Sequence, residues 1–317
     1  MRLVALILSL FSASAGLADD GALNRLDEAF RAWLAPQGLN GVLALRHDGA
    51  PLGVIEAGIS AETSIELASL SKSITGLCAM SVVEDGLMAW DDSAADTLGR
   101  GPDVSLGELI TQTSGLRRDS TQGFMPFWRD QPPHRSSAVL DIVTLRAKPD
   151  GERGQFHYNN ENYALAGLMI EAALGEDYDA VCRERVLEPA GVTGAASARF
   201  GGFQPWGGWA MTAADFAQFH EFWFALPSAN GWDPFDLPYA SAWGAHYGLG
   251  TMFRKLEPGF AFWHFGALCF PGDVETGAYA VSLFGDWTLI AAYDGCPSSD
   301  MLRKLDNALV AAALELR

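Results

Sequence analysis

Lysine is nearly absent from this chain: four stand among 317 residues, at Lys72, Lys148, Lys255 and Lys304. All lysines and arginines together number 21 against 39 acidic residues, a formal charge of −18. Binding a phosphate backbone needs clustered cations, so nucleic acid and anionic membrane surfaces are poor partners. Charged residues of either sign are also few, 19% against 49% hydrophobic. That balance excludes a disordered chain and leaves ample material for a large core. The chain has no internal repeat and no low-complexity linker. After the N-terminus, no apolar run approaches the ~20 residues of a membrane span. The length fits one large domain, two lobes or two small domains at roughly 150 residues each.

The N-terminus reads as an address. Arg2 is followed by the apolar run Leu3 to Phe11, then by small residues ending in Gly16-Leu17-Ala18 before Asp19. A short charged region, a short apolar core and a small-residue cleavage site make a secretory signal, cut after Ala18, with Ala15 as the nearest rival. The expectation is an exported protein, periplasmic or secreted, with no stable membrane insertion, whose single domain is residues 19–317. Of the four cysteines, Cys78 and Cys182 lie in helical stretches and read as simple core residues. Cys269 and Cys296 each follow an apolar strand-like run, and an oxidising compartment would permit a disulfide between them.

Residues 22–34 carry apolar side chains at a helical period. Residues 41–46 and 52–57 read as a hairpin around a turn at 47–51. A helix follows from Ser69 to Asp85 and stops at Gly86. From about 100 to 235 the pattern is mainly helical, with a Gly-, Pro- and aromatic-rich loop at 119–135. Residues 260–269, 277–284 and 287–293 read as three strands, and 300–316 as a closing amphipathic helix. Strands at both ends with helices between them predict an α/β (α+β) fold. An antiparallel sheet forms from the N- and C-terminal strands (about 19–98 and 236–317), with an inserted helical lobe (about 99–235). A cleft is expected where the two meet.

Three short motifs carry chemistry. In Ser69-Leu70-Ser71-Lys72 the i, i+3 spacing puts a hydroxyl and an amine on one helical face. A desolvated lysine can take the serine proton, and the helix start offers free amides to a developing oxyanion. The alternative is a lysine snorkelling from the edge of a core helix. In Tyr158-Asn159-Asn160 a tyrosine beside an ammonium would lose some hold on its proton, and Asn160 can donate and accept at once. Asparagine capping of an ordinary helix start explains the same residues. In His264-Phe265-Gly266 a glycine on an edge strand lets a substrate backbone lie close, while the other reading is a core strand. Chance alone gives roughly 0.3, 0.15 and 0.6 such motifs from these compositions, and about 0.03 for all three together.

In this order the three motifs, Ser-x-x-Lys, Tyr-x-Asn and His-x-Gly, resemble the serine β-lactamase and penicillin-recognising superfamily. The branch they are most similar to holds class C β-lactamases, D-Ala-D-Ala carboxypeptidases and family VIII esterases. Residues 65–68, 109–116 and 209–215 match as well. The resemblance implies a β-lactamase/transpeptidase-like fold and a serine hydrolase that needs no metal and no cofactor. It implies that Ser69 forms an acyl-enzyme, that Lys72 and Tyr158 move the proton, and that Asn160 holds the acyl side chain. His264 would line the site, where other branches have a lysine, beside Gly266, and the amides of Ser69 and Ala267 would form the oxyanion hole. The implied substrate is a small acyl ester or amide, or a peptidoglycan-type peptide. A non-hydrolytic penicillin-binding or envelope-sensing relative is the alternative. Phe265 stands where carboxylate-binding relatives have Thr or Ser, and Gln112 replaces a usual His. With Trp128, Trp206 and Trp209 read as rim residues, Phe265 points to apolar acyl groups; ordinary core packing is the other reading of those tryptophans.

Overall fold

The computed structural model describes residues 8–130, 132–146, 149–225, 233–257 and 259–314, with side chains from Gly21 onward. The expected cleavage point lies outside the residues with described side chains. The helices in chain order are α1 (Leu8–Leu34), α2 (Ser71–Glu84), α3 (Ala94–Leu98), α4 (Leu106–Ile110), α5 (Thr121–Trp128) and α6 (Ser136–Leu145). They continue as α7 (Asn160–Leu174), α8 (Tyr178–Cys182), α9 (Gln204–Gly207), α10 (Ala213–His220) and α11 (Ser299–Leu314). Among the described residues no helix is long and apolar enough to cross a membrane.

One sheet of eight antiparallel strands organises the molecule. Its strands are β1 (Gly41–His47), β2 (Ala50–Ala57), β6 (Ala240–Ala242), β7 (Ala245–Gly248), β8 (Thr251–Lys255), β9 (Phe260–Phe270), β10 (Val274–Leu283) and β11 (Trp287–Tyr293). The spatial order β2-β1-β11-β10-β9-β8-β7-β6 sets the first hairpin beside the last strand, so the two ends of the chain do build one sheet. A smaller sheet joins β3 (Ser64–Glu66), β5 (Trp209–Thr212) and β4 (Ala195–Ala196).

Period-two alternation divides the core into two layers. Leu43, Leu45, Leu289 and Ala291 face Leu26, Phe30, Leu305 and Leu309 of α1 and α11. Their neighbours Val42, Ala44, Ile290 and Ala292 face α10 and join the core of the helical layer. Helix α2 is buried almost all round, as a helix apolar on every side must be. It packs with α7 and α9, so the helical layer takes in residues that precede 99.

Four expectations need correction. The β1–β2 turn is only Asp48-Gly49, both at positive φ (51° and 78°), a geometry whose twist matches the flanking strands. The stretch 119–135 holds α5, nucleated by the Asp119 side chain accepting from the Thr121 amide at 3.0 Å. The short strands β6 to β8 were not legible, since three to five residues carry little periodicity. Cys78 and Cys182 are not simple core thiols. They form a disulfide that ties α2 to α8 across a sequence separation of 104.

Cys269 and Cys296 are bridged as well. The two bridges differ in access: Cys78 and Cys182 are fully buried, while Cys269 is exposed and Cys296 half-buried. Mild reductant under native conditions should therefore free two alkylatable thiols, and reductant with denaturant should free four. Intact-mass counting of alkylated sites checks this. Replacing Cys78 and Cys182 by alanine should cost about 2–5 kcal/mol, read from denaturant midpoints.

Candidate active site

A one-turn 3₁₀ segment, Ala68–Leu70, leads into α2 and carries Ser69. Ala68 adopts a left-handed φ of 47°, a strained conformation for a side chain with a Cβ. The turn is held in place by neighbours: the Leu67 amide donates to the Trp209 carbonyl at 3.0 Å. Behind Ser69, Gly266 of β9 approaches so closely that a Cβ there would lie 2.6 Å from the Leu67 oxygen and 3.0 Å from the Ser69 nitrogen. A second close approach is Gly250, at φ 80°, where a Cβ would sit 2.2 Å from the Lys72 carbonyl. Glycine at these two positions lets the sheet edge press directly on the start of α2.

Lys72 does not snorkel. It is fully buried, and its Nζ reaches Ser69 Oγ at 3.2 Å, Asn160 Oδ1 at 2.8 Å and the Trp206 carbonyl at 2.7 Å. The ammonium also lies 4.9 Å from the centre of the Tyr158 ring and 5.8 Å from that of Tyr163. Burial drives its pKa down to about 7, with the Asp119 carboxylate opposing the fall.

Tyr158 departs from expectation. Its buried hydroxyl makes no hydrogen bond among the described residues. Burial and the neighbouring Tyr247 push its pKa well above the ordinary value, and the nearby Ser69 side chain offsets only part of this. Desolvation dominates, so Tyr158 is a neutral phenol and Lys72 is the group that titrates near neutrality. His264 packs against both tyrosines, 5.8 Å from the Tyr158 ring and 6.1 Å from that of Tyr247. Burial and then the Lys72 charge hold its imidazole neutral, and its Nδ1 meets the Phe265 carbonyl at 2.6 Å.

Strand β9 is not an edge strand, because it lies between β10 and β8. Yet β8 pairs only with Phe260 to Trp263. From His264 onward that side of β9 has no strand partner among the described residues, so a local edge opens beside Ser69. The cleft there, about 480 Å³, is lined by Ser69, Tyr158, Trp243, Met252, Trp263, His264, Phe265 and Ala267.

The aromatic rim differs from the one expected. Trp206 and Trp209 are core residues, 1% and 0% exposed; Trp206 serves the site through its carbonyl, and the Trp209 indole donates to Tyr178. The Phe265 ring stacks on Tyr279, 4.5 Å between centres, within the layer under α1 and α11. Strand alternation sets its ring on the face opposite His264, so Phe265 borders the cleft without standing on its rim. Trp243, 76% exposed on the β6–β7 turn, takes the rim role instead.

Sequence reasoning missed Asp119, Thr121 and Tyr247. The Asp-Ser-Thr run at 119–121 is a helix-start signal that would have located the first two. Tyr247 sits on a four-residue strand with no comparable signal. Gln112 keeps a binding role: its Oε1 accepts from the Asn159 amide at 2.9 Å and from Asn162 Nδ2. Among the described residues, no group of three or more His, Cys, Asp or Glu could hold a metal ion.

An antiparallel sheet with helices on both faces and a serine-bearing helix at its edge defines the β-lactamase/transpeptidase-like fold. The chain belongs to the Beta-lactamase family, whose model matches residues 26–281. A class C beta-lactamase mutant superposes with a TM-score of 0.72 at 14% identity, covering 92% of this chain and 97% of the other. The D-amino acid amidase from Ochrobactrum anthropi SV3, complexed with L-phenylalanine amide, gives 0.71 at 19%, covering 92% and 98%. In sequence, Penicillin-binding protein 4* of Bacillus subtilis (strain 168) is 31% identical over 135 residues, which is 40% of this chain and 29% of that protein. The matched segments span less than a third of the curated relatives' length.

Proposed function

We propose that this protein is an exported serine hydrolase that cleaves an ester or amide through an acyl-enzyme on Ser69. The observation that carries the reading is the bonding of Lys72 Nζ. Asn160 Oδ1 and the Trp206 carbonyl can only accept. In the neutral amine they take the two protons, and the remaining lone pair points at Ser69 Oγ. Lys72 then removes the Ser69 proton as the hydroxyl attacks the acyl carbon, and the nearness of its pKa to neutrality suits that task. The amides of Ser69 and Ala267 receive the oxyanion, a role supported by the contact of β9 with the Ser69 turn. Tyr158, a neutral phenol, relays a proton: it hands its own to the leaving group as it takes one from the Lys72 ammonium, which returns Lys72 to the neutral amine, and it then orients the water that releases the acyl group. The open half of β9 pairs with an extended substrate, and Trp243, Met252 and Trp263 favour an apolar acyl group.

A fluorophosphonate probe followed by peptide mapping should place one adduct on Ser69. Steady-state assays with short-chain p-nitrophenyl esters, nitrocefin and a D-Ala-D-Ala peptide should show ester turnover exceeding β-lactam hydrolysis. Efficient nitrocefin cleavage with poor ester cleavage would reverse the substrate preference. A stable penicillin adduct with no released product would mark a binding protein rather than a hydrolase.

A further inference from the structure

Lys72 can direct its lone pair at Ser69 only if the Asn160 amide presents its oxygen to Lys72 and its nitrogen elsewhere. The nitrogen side is built: Asn160 Nδ2 donates to Thr121 Oγ1 at 3.0 Å, in a site where Thr121 is fully buried and Asn160 nearly so. A threonine hydroxyl holds a single proton. Here that proton goes to Asp119 Oδ1 at 2.6 Å, so Thr121 Oγ1 is left to accept. The Asp119 carboxylate also accepts from the Thr121 amide at 3.0 Å, the Asn160 amide at 3.3 Å and Gln122 Nε2 at 3.2 Å. On the other side, buried Glu161 accepts from the Ser120 amide at 2.9 Å and from its hydroxyl at 2.5 Å, which anchors the loop independently.

We infer that Asp119 and Thr121 are positioning residues that lock the Asn160 amide in one orientation and thereby aim the Lys72 amine at Ser69. The chain of direction runs from carboxylate to hydroxyl to amide to amine. Each link is forced by which atoms can donate. An Asn160 turned the other way would set two donors face to face at Lys72, or would occupy the amine's lone pair. The inference rests on the hydrolase reading for its catalytic meaning, but the lock itself is a property of the folded protein.

Charged and titratable groups facing Lys72 are Tyr158 just before α7, Tyr163 in its first turn, His264 on β9, Tyr247 on β7 behind them, and Asp119. Of these only Asp119 is an anion. Thr121→Val should therefore lower the acylation rate roughly 10- to 100-fold, the effect of one lost buried hydrogen bond at a reacting group. It should also move the acidic limb of the pH–rate profile to lower pH, because a donor now faces the ammonium. Asp119→Asn should shift the limb in the same direction by removing the anion. Thr121→Ser, which keeps the hydroxyl, should restore both rate and limb. Ser120→Ala, which loosens the same loop from the Glu161 side, should leave the limb in place.

With four lysines in the chain, ¹³Cε NMR of lysine-labelled protein resolves Lys72 directly, assigned by its loss in Lys72→Met. Its titration midpoint should fall in Thr121→Val and Asp119→Asn and return in Thr121→Ser. This readout does not depend on turnover. A wild type that takes no fluorophosphonate overturns the hydrolase reading alone. An unchanged Lys72 midpoint in Thr121→Val, or a Thr121→Ser no better than Thr121→Val, overturns the lock.

Discussion

Ser69→Ala and Lys72→Met are each expected to lower ester hydrolysis by about 10⁴–10⁶-fold, and the double variant to be no worse than either alone. Ser69 Oγ and Lys72 Nζ lie 3.2 Å apart, and in the proposed mechanism they act on the same proton. Removing one member leaves the other without a task, so the losses do not add. Steady-state kinetics with fluorophosphonate titration of residual sites checks this. Additive losses would mean that the two residues serve separate steps.

Lys72→Met also separates activity from stability. In the folded state the Lys72 pKa falls from 10.5 to about 7, so between those values the unfolded chain binds the extra proton. Wild-type stability then rises with pH across that window and is flat below about 7, where both states are charged. The cost of burying the charge on the acid side is on the order of 5 kcal/mol, at 1.36 kcal/mol per pKa unit. Methionine removes that cost while forfeiting the bonds to Asn160 and Trp206, each worth about 1 kcal/mol. The variant's stability relative to wild type should therefore grow as pH falls from 10 to about 7 and then level off. Parallel denaturant titrations across pH measure it.

The sheet strands were legible as apolar runs bounded by turns, whereas the two layers into which their side chains divide were not. Leu43 and Leu45 point one way, Val42 and Ala44 the other, and β11 repeats the pattern at the far end of the chain. Ser69 and Lys72 were legible for a different reason. Lysine is so scarce that one a turn after a helix-starting serine carries information. What stayed hidden depends on directions that spacing does not encode. Phe265 adjoins His264 in sequence, yet its ring stacks on Tyr279 on the opposite face. Trp206 looked like a rim residue, but the fold buries its indole and uses its carbonyl. The phenol of Tyr158 was expected to hold its proton less tightly beside an ammonium, but burial pushes the other way and only the folded chain reveals it. The roles of Asp119 and Thr121 turn on which oxygen keeps a proton, a matter of hydrogen-bond direction alone.

Gly266→Ala is the smallest substitution with a large expected effect, a loss of about 10²–10³ in kcat with little change in KM. By chance arithmetic His-x-Gly was the least informative motif, yet its glycine has the least room. An alanine Cβ would lie 2.6 Å from the Leu67 oxygen and 3.0 Å from both Ala68 Cβ and the Ser69 nitrogen. These are backbone and first-carbon atoms that cannot rotate aside. The Ser69 turn resists movement too, with Leu67 bonded to Trp209 and Ala68 already at positive φ. Strand β9 must therefore retreat, and it is held by β10 along Ala261 to Phe270. If the Ala267 amide receives the oxyanion as proposed, a compromise shift of about 1 Å moves it off the developing charge, and a displacement of that size costs about 10²-fold by itself. The open cleft wall is little altered, so substrate binding persists while the chemical step fails. Single-turnover acylation distinguishes the two. An alanine variant within about threefold of the wild-type acylation rate would show that Ser69 and β9 do not share the oxyanion.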